Sequence, residues 1–520
     1  MTLVDKVIKN TFYNFLAQIV GYLFPFFLIP IIIGKIGQVE FGIYAIAYGF
    51  IGAFTLFDLG VSTSFIKFVS EYYYRDDYDG LNCIVNIGVL FYFCFTVLFW
   101  GLGYIFSDFI INYINIPAEA YEKGRFALHI SLFIFFIATN SNMFVSILIS
   151  LQKMYITSLL NIFTGLFNFV SIVIVLYMGY GIYGLLYCQL ITVFIGTVFN
   201  IILAKKYLPQ MAFGIKYFKL SFLKKMTNFG LQMQVSKLGS FISEKYDEFL
   251  LGFFSVISNV TYFNVGNRIV RFGKFIPSQF IVQVAPVAAG LNAKGEKEKL
   301  ETLFSDTTKY LILVSAPVFI YLFVFSNILI EVWIGPGYEI SSYIIRILIL
   351  GQLINMAFSA PGNSITPNIG LPKYQMNEGL IYLGINLVAS FFLIKYYGIV
   401  GAAIGNTIAT FIASLYVLIV SVNYFNRKYS EILFVIHFKP IFYSAVFATI
   451  LYYVMMYQSF FRFEGNRLYS LIILIVVSML YLTSYLLWLF KSNYLNGRDK
   501  EVLRKIYENF ILRTAKSSGE

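Results

Sequence analysis

Apolar runs long enough to cross a bilayer recur along the whole chain, and they restrict it to one class of fold. A membrane-spanning helix needs about 20 predominantly apolar residues, and its backbone polar groups are all satisfied within the segment. Of the 520 residues, 59% are hydrophobic and only 12% are charged. The runs are continuous, unlike the short alternating segments of a membrane barrel, so we expect an all-α polytopic membrane protein. Fourteen transmembrane helices are predicted, near residues 11–33, 41–66, 84–111, 126–151, 155–178, 181–204, 229–256, 260–290, 307–332, 342–365, 374–396, 399–424, 438–457 and 468–490.

The two ends of the chain are both predicted to be cytoplasmic. The run from Thr11 to Ile33 is too long for a cleaved signal peptide and no small-residue cleavage site follows it, so we expect it to be the first span. Cytoplasmic loops carry an excess of Lys and Arg, and with both termini inside most loop cations fall on the cytoplasmic side. The outer loops then hold only Lys35, Lys123, Arg125, Lys395, Arg462 and Arg467.

The chain contains a weak internal repeat. The Gly181–Gly184 motif that opens the sixth span is matched by Gly398–Gly401 at the start of the twelfth. Further matched pairs are Gln189 and Asn406, Phe194 and Phe411, Asn14 and Asn228, and Gln18 and Gln232. An even number of spans per repeat makes the repeat parallel, about an axis along the membrane normal. We expect an N-lobe (1–205), a cytoplasmic linker (206–228), a C-lobe (229–425), two extra helices (426–490) and a basic cytoplasmic tail (491–520).

The eighth span carries three basic residues near its middle: Arg268, Arg271 and Lys274. Placing all three against lipid would cost about 8–10 kcal/mol, so we expect them to face protein or water. On a helical wheel they share an arc of roughly 120° with Asn264, Asn267 and Ser278. This arrangement favours a cationic wall of an internal cavity and an anionic passenger, since arginine binds phosphate oxygens with a bidentate fork. The alternative is that these cations pair with acidic neighbours and lock two helices together.

Acidic and basic residues also lie in the seventh span, namely Lys237, Glu244, Lys245, Asp247 and Glu248. We expect the two lysines to add to the cationic wall. Glu244 and Asp247 are salt-bridge candidates for Arg268 or Arg271, as is Glu248 for the cations around it. One of these carboxylates could instead titrate and couple transport to an ion gradient.

Three further charged residues lie within predicted spans. Asp58, beside Gly60, either carries a proton or cation or shapes a local bend. Arg346 and Glu378 lie close to span ends, where a charged head can reach water along the bilayer surface. We include Arg346 among the candidate cavity residues.

Several classes of function find no support in the sequence. No G-x-x-x-x-G-K-[ST] loop is present, and the three cysteines and two histidines lack disulfide or metal-ligand spacing. We expect no catalysis, cofactor or metal, and the coupling ion, whether proton or sodium, stays open. The basic tail fits anionic lipid headgroups better than nucleic acid.

Motifs in both predicted lobes resemble those of Wzx-type polysaccharide (O-antigen) flippases. The segments that show the resemblance are Glu40-Phe41-Gly42-Ile43-Tyr44, Phe57-Asp58-Leu59-Gly60-Val61, Lys245-Tyr246-Asp247-Glu248-Phe249-Leu250-Leu251-Gly252 and Val260-Thr261-Tyr262-Phe263-Asn264-Val265-Gly266. The resemblance implies a two-lobed fold around a V-shaped central cavity, shared with multidrug exporters and the lipid II flippase. It also implies transport of an undecaprenyl-pyrophosphate-linked oligosaccharide across the bacterial inner membrane, with a polysaccharide polymerase and a chain-length regulator as partners. One departure is that residues 10–34 carry no charge, whereas the lipid II flippase has arginines in its first span.

Two other functions compete with a flippase. A multidrug-type exporter of cations would need acidic and aromatic walls, which the cationic eighth span does not provide. A membrane polymerase or glycosyltransferase would need large catalytic loops, and the loops here are short.

Overall fold

The structure is a bundle of long helices. The computed structural model describes residues 3–55, 61–114, 116–219, 221–224, 226, 246–457, 467–492, 494, 495, 497 and 499, and every regular element in these ranges is helical, as predicted. The helices are α1 (Leu3–Thr55), α2 (Val61–Tyr74), α3 (Tyr78–Ile105), α4 (Ser107–Tyr113), α5 (Tyr121–Ser150), α6 (Met154–Tyr177), α7 (Gly181–Tyr207), α8 (Ile257–Ala293), α9 (Lys297–Val324), α10 (Ser326–Trp333), α11 (Glu339–Ile354), α12 (Ala360–Ile365), α13 (Lys373–Tyr424), α14 (Lys439–Tyr457) and α15 (Arg467–Lys491). A further helical segment covers 246–254, and Asn355–Ser359 and Glu431–Phe438 are π-helical.

The two longest helices are each two helices joined at a glycine. The backbone leaves the helical region at Gly37 in α1 (φ 78°) and at Gly398 in α13 (φ 55°). Residues with a Cβ rarely adopt these positive angles, so glycine permits the sharp change of direction. Both glycines fall in the short gaps predicted between spans. Gly181, the repeat partner of Gly398, has nearly the same angle (φ 57°) at the start of α7.

The described ranges contain ten helical stretches that are long and apolar enough to cross a membrane, so the protein is a polytopic helical membrane protein. Two of the ten, Phe12–Gly49 and Lys373–Tyr424, include the kinks at Gly37 and Gly398. The charged helix α8 is not among the ten. The total of fourteen spans stays a prediction.

Several predicted spans are interrupted. The predicted span 307–332 breaks at Phe325 between α9 and α10, and the predicted span 84–111 breaks at Phe106. The predicted span 342–365 changes from α-helix to π-helix at Asn355–Ser359. Pro361 explains this last change, because it has no N–H to donate to the carbonyl four residues earlier. Hydropathy does not predict these helix interruptions, because the sequence stays apolar through them.

The predicted linker, residues 206–228, packs on α3 through its described part. Asn82 donates to the Gln210 carbonyl (3.2 Å) and accepts from the Ala212 N–H (2.9 Å). Asn86 donates to the Ala212 carbonyl (2.8 Å) and accepts from the Gly214 N–H (3.0 Å). Two asparagine side chains thus replace the hydrogen bonds that a regular structure would give this backbone.

The described part of the tail is also anchored. Asp499 is buried, forms an ion pair with Lys309 (2.5 Å) and accepts a hydrogen bond from the Tyr310 hydroxyl (2.6 Å). Tyr494 donates to the Ile436 carbonyl (2.7 Å). The chain after α15 therefore docks on the middle of α9 and on the π-helical segment Glu431–Phe438, whereas the sequence predicted only a surface-bound tail. Most of 491–520 lies outside the described residues.

Candidate functional site

Helix α8 places the predicted cationic residues on one partly buried face. Arg268, Arg271 and Lys274 are each partly buried, as are Asn264 and Ser278. We call these five residues the α8 stripe. Fully buried residues form the opposite face of the helix, including Val265, Gly266, Ile269, Val270 and Gly273.

Glycines bring the buried face of α8 close to its neighbours. A Cβ on Gly266 would lie 3.0 Å from Ile344 of α11, and one on Gly273 would lie 2.4 Å from Leu322 of α9. The Ser341 hydroxyl of α11 also donates to the Tyr262 carbonyl (2.9 Å). Because α9 and α11 occupy this side so tightly, the α8 stripe is turned away from them.

Helix α8 runs antiparallel to α1 over much of its length. Near its start, Thr261 and Tyr262 donate to the carbonyl and side-chain oxygens of Gln38 (2.6 and 2.7 Å). Further along, Phe272 stacks on Phe26, with ring centroids 5.1 Å apart. Still further, Phe275 contacts Tyr22 and Gln279 donates to Gln18 (3.4 Å). The two predicted halves therefore meet along this pair of helices.

Glu248 is the acidic residue that lies beside the N-terminal part of the stripe, at Asn264 and Arg268. Its carboxylate accepts from the Asn264 amide (3.3 Å) and interacts electrostatically with Arg268. Arg268 also lies within electrostatic range of Arg271 and of the Tyr44 and Tyr48 hydroxyls of α1. Two adjacent guanidinium groups repel each other, so this region gains stability from an added anion.

Asp247 points into a different polar pocket from its neighbour Glu248. It is buried, and it accepts from the Asn406 amide of α13 (3.0 Å), which also contacts the Tyr382 hydroxyl (3.0 Å). Asn386 and Ser390, both fully buried, lie beside it. The hydrogen-bond partners described for Asp247 are thus neutral groups of α13, and the neighbouring Glu248 adds a like charge.

At the other end of the stripe, Lys274 interacts electrostatically with Glu378 of α13. Glu378 accepts hydrogen bonds from Ser359 and from the Asn363 amide. The sequence predicted a carboxylate that reaches water at a span end, but the structure places Glu378 partly buried against the π-helical segment. The signal that could have identified it is the i, i+4 pair Ser359 and Asn363, two polar residues on one face of an apolar span.

Arg346 lies away from the α8 stripe. Its Nε donates to the Ser326 hydroxyl at the start of α10 (2.8 Å), and its guanidinium lies over the Tyr343 ring. It follows Ile344, which packs on α8, by two residues and is therefore about 200° away around α11. The structure does not bring Arg346 together with the other predicted cations.

Four predicted site residues lie outside the described residues: Asp58, Lys237, Glu244 and Lys245. Within the described ranges, no group of three His, Cys, Asp or Glu side chains is placed to hold a metal ion.

Comparison with known proteins identifies a family for this chain. The sequence profile of the family "Polysaccharide biosynthesis protein" matches residues 7–290. A Shigella flexneri protein assigned as an O-antigen transporter is 22% identical over 419 residues, which cover 79% of this chain and 96% of the relative.

Solved structures share the fold at low sequence identity. The lipid II flippase MurJ, in an inward closed conformation, superposes with a TM-score of 0.67 at 19% identity, over 92% of this chain and 98% of MurJ. An inward-facing multidrug resistance MATE family transporter superposes with a TM-score of 0.64 at 14% identity, over 78% and 94% of the two chains. The chain therefore shares its fold with these two transporters and belongs to the polysaccharide biosynthesis protein family.

Proposed function

We propose that this protein flips a polyprenyl-pyrophosphate-linked oligosaccharide, such as an O-antigen repeat unit, across the bacterial inner membrane. The observation that carries the proposal is the α8 stripe, in which Arg268, Arg271 and Lys274 share one face of a helix inside a helical membrane protein. A pyrophosphate group is the kind of anion that such a face would bind.

Each part of the stripe has a distinct role in this proposal. Arg271 and Arg268 bind the pyrophosphate oxygens, and the anion relieves their mutual repulsion. Lys274 supplies a further positive charge, and Asn264 donates hydrogen bonds near Glu248. Lys237 and Lys245 extend the binding site from the seventh span, and Glu244 and Asp58 complete the set of candidate carboxylates.

The proposed transport cycle involves the contact between α1 and α8. In our proposal fourteen spans form two six-helix lobes and two extra helices, with both termini cytoplasmic. Because α1 belongs to one lobe and α8 to the other, rocking of the lobes must rearrange their contacts and open the stripe to each side in turn. Asp247 is the candidate ion-coupling carboxylate, because it lies in a polar pocket and is adjacent in sequence to Glu248, which contacts Asn264 of the stripe.

Deletion of the protein in its native host tests this function. The expected result is accumulation of the complete lipid-linked repeat unit on the cytoplasmic leaflet and loss of surface glycan. Normal surface glycan, or accumulation on the outer leaflet as expected for loss of a polymerase, would contradict the proposal. Altered drug sensitivity with normal lipid-linked sugars would instead identify a multidrug-type exporter.

A further inference from the structure

A cavity of about 330 Å³ lies between α1 and α6, and its polar lining is neutral. Its polar side chains are four amides, Asn14 and Gln18 from α1 and Asn161 and Asn168 from α6. Phe24 and Phe169 contribute aromatic rings, and none of the described residues that line the cavity is charged. The volume is at the lower end of the range for small-molecule sites.

The local sequence builds this cavity. Asn10, one helical turn before Asn14, connects α1 to the start of α6. Its side-chain amide donates to the Gln152 carbonyl (3.2 Å), and its side-chain oxygen accepts from the Tyr155 N–H (2.9 Å). Higher up, a Cβ on Gly165 would lie 3.6 Å from Phe24 and 3.7 Å from Val20, so the glycine leaves open space where a larger side chain would fill the cavity.

One of these amides is costly at this position unless a ligand uses it. Asn14, Gln18 and Asn161 are exposed, but the side-chain oxygen of Asn168 is buried and has no hydrogen-bond partner among the described residues. A buried amide without a hydrogen-bond partner loses several kcal/mol relative to water. An amide offers both a donor and an acceptor, which matches the hydroxyl groups of a sugar better than it matches a phosphate or a lipid tail.

The cavity is adjacent to the α8 stripe. Gln18 lines the cavity and also accepts a hydrogen bond from Gln279 of α8, the residue next to Ser278 of the stripe. One ligand can therefore reach both surfaces if it carries an anionic group beside a neutral polyhydroxylated group.

We propose that the cavity between α1 and α6 binds the neutral sugar units of the transported lipid, through Asn14, Gln18, Asn161 and Asn168, while the α8 stripe binds its pyrophosphate. This inference rests on the proposed function. It assigns recognition of the glycan to the first half of the chain and recognition of the anion to the second.

Binding measurements with two lipids test the inference. The probes are undecaprenyl pyrophosphate and the native lipid-linked repeat unit extracted from a deletion strain, each titrated against the purified full-length protein in nanodiscs. The wild type should bind the glycan-bearing lipid more tightly than the bare one. In the triple variant Asn14→Leu, Gln18→Leu, Asn168→Leu, affinity for the glycan-bearing lipid should fall by at least about tenfold, to that of the bare lipid. Affinity for the bare lipid should not change.

A matched control is Asn142→Leu, which removes an exposed amide of α5 that does not line the cavity and should preserve both affinities. Equal loss for both lipids in the triple variant would indicate that the cavity holds the lipid tail and would overturn the inference. Retained preference for the glycan-bearing lipid would also overturn it, while leaving the flippase function intact. If the wild type bound neither lipid, the proposed function would fail as well.

Discussion

Helices α1 and α8 lie against each other, but the polar side chains that they carry differ in charge. The polar face of α1 is neutral, with Asn14 and Gln18, and residues 10–34 carry no charge. The polar face of α8 is cationic, with Arg268, Arg271 and Lys274. Amides form hydrogen bonds with uncharged hydroxyl groups, whereas guanidinium groups are stabilised by a nearby carboxylate or other anion. The difference supports the proposal of a passenger with two chemical parts, one bound on each side of the interface between the predicted halves.

Charge reversal on α8 should have the largest effect. We expect Arg271→Glu to reduce glycan export by at least about a hundredfold, because a carboxylate would repel the pyrophosphate that we propose the arginine binds. Arg271→Lys keeps the positive charge but cannot form the bidentate hydrogen bonds of a guanidinium group, so it should retain partial activity. Surface glycan is the measurement, with membrane protein level as the control. Normal export by Arg271→Glu at normal expression would remove Arg271 from the site.

A double variant distinguishes substrate binding from ion pairing. If Arg271 only paired with Asp247, the swap Arg271→Glu with Asp247→Arg should restore export. The structure directs Asp247 to Asn406 instead, so we expect the swapped protein to stay inactive. Restored export would show that the cation has a structural role.

Filling the neutral cavity should have the next largest effect, and only on glycan-bearing substrate. Gly165→Leu would place a side chain between Phe24 and Val20, and we expect about a tenfold loss of transport of the native lipid-linked repeat unit. Gly165→Ala is the matched control, because its Cβ makes only ordinary contacts at 3.6 Å and alanine favours a helix. Equal transport by the two variants would argue against a sugar site at α6.

Removing the charge of Asp247 should have a smaller effect. Asp247→Asn keeps a side chain of the same shape beside Asn406 but cannot release a proton or bind a cation as a carboxylate does. We expect about a fivefold loss of transport together with loss of its dependence on an imposed proton or sodium gradient. The measurement is uptake into proteoliposomes with and without each gradient. An unchanged gradient dependence would exclude Asp247 as the coupling group.

Arg346 should have the smallest effect, although the sequence made it a candidate for substrate binding. Its contact is the Ser326 hydroxyl, on the side of α11 away from α8. We expect Arg346→Gln to cost about 1 kcal/mol of stability and to leave the rate of transport nearly unchanged. A loss of export comparable to that of Arg271→Glu would return Arg346 to the binding site.

The sequence predicted the class of helical membrane protein well and the side-chain partners poorly. Apolar length identified α6, α7, α14 and α15 almost to their ends, and the kinks at Gly37 and Gly398 fall in the predicted gaps between spans. Helical periodicity predicted the α8 stripe, because a single helix fixes which residues share a face. Partners across helices depend on packing that no local pattern encodes. The sequence therefore did not anticipate Asn406 beside Asp247, or Ser359 and Asn363 on Glu378. The cavity between α1 and α6 was missed for the same reason, since its lining comes from residues more than a hundred positions apart.

The most direct test of the flippase account is a leaflet-resolved assay in proteoliposomes that contain the purified protein and its native lipid-linked repeat unit. The account predicts that the wild type moves the lipid between leaflets, that Arg271→Glu does not, and that equal amounts of both proteins are inserted. A wild-type protein that leaves the lipid in its original leaflet would contradict the proposed function. Equal transport by the wild type and Arg271→Glu would contradict the role of the α8 stripe.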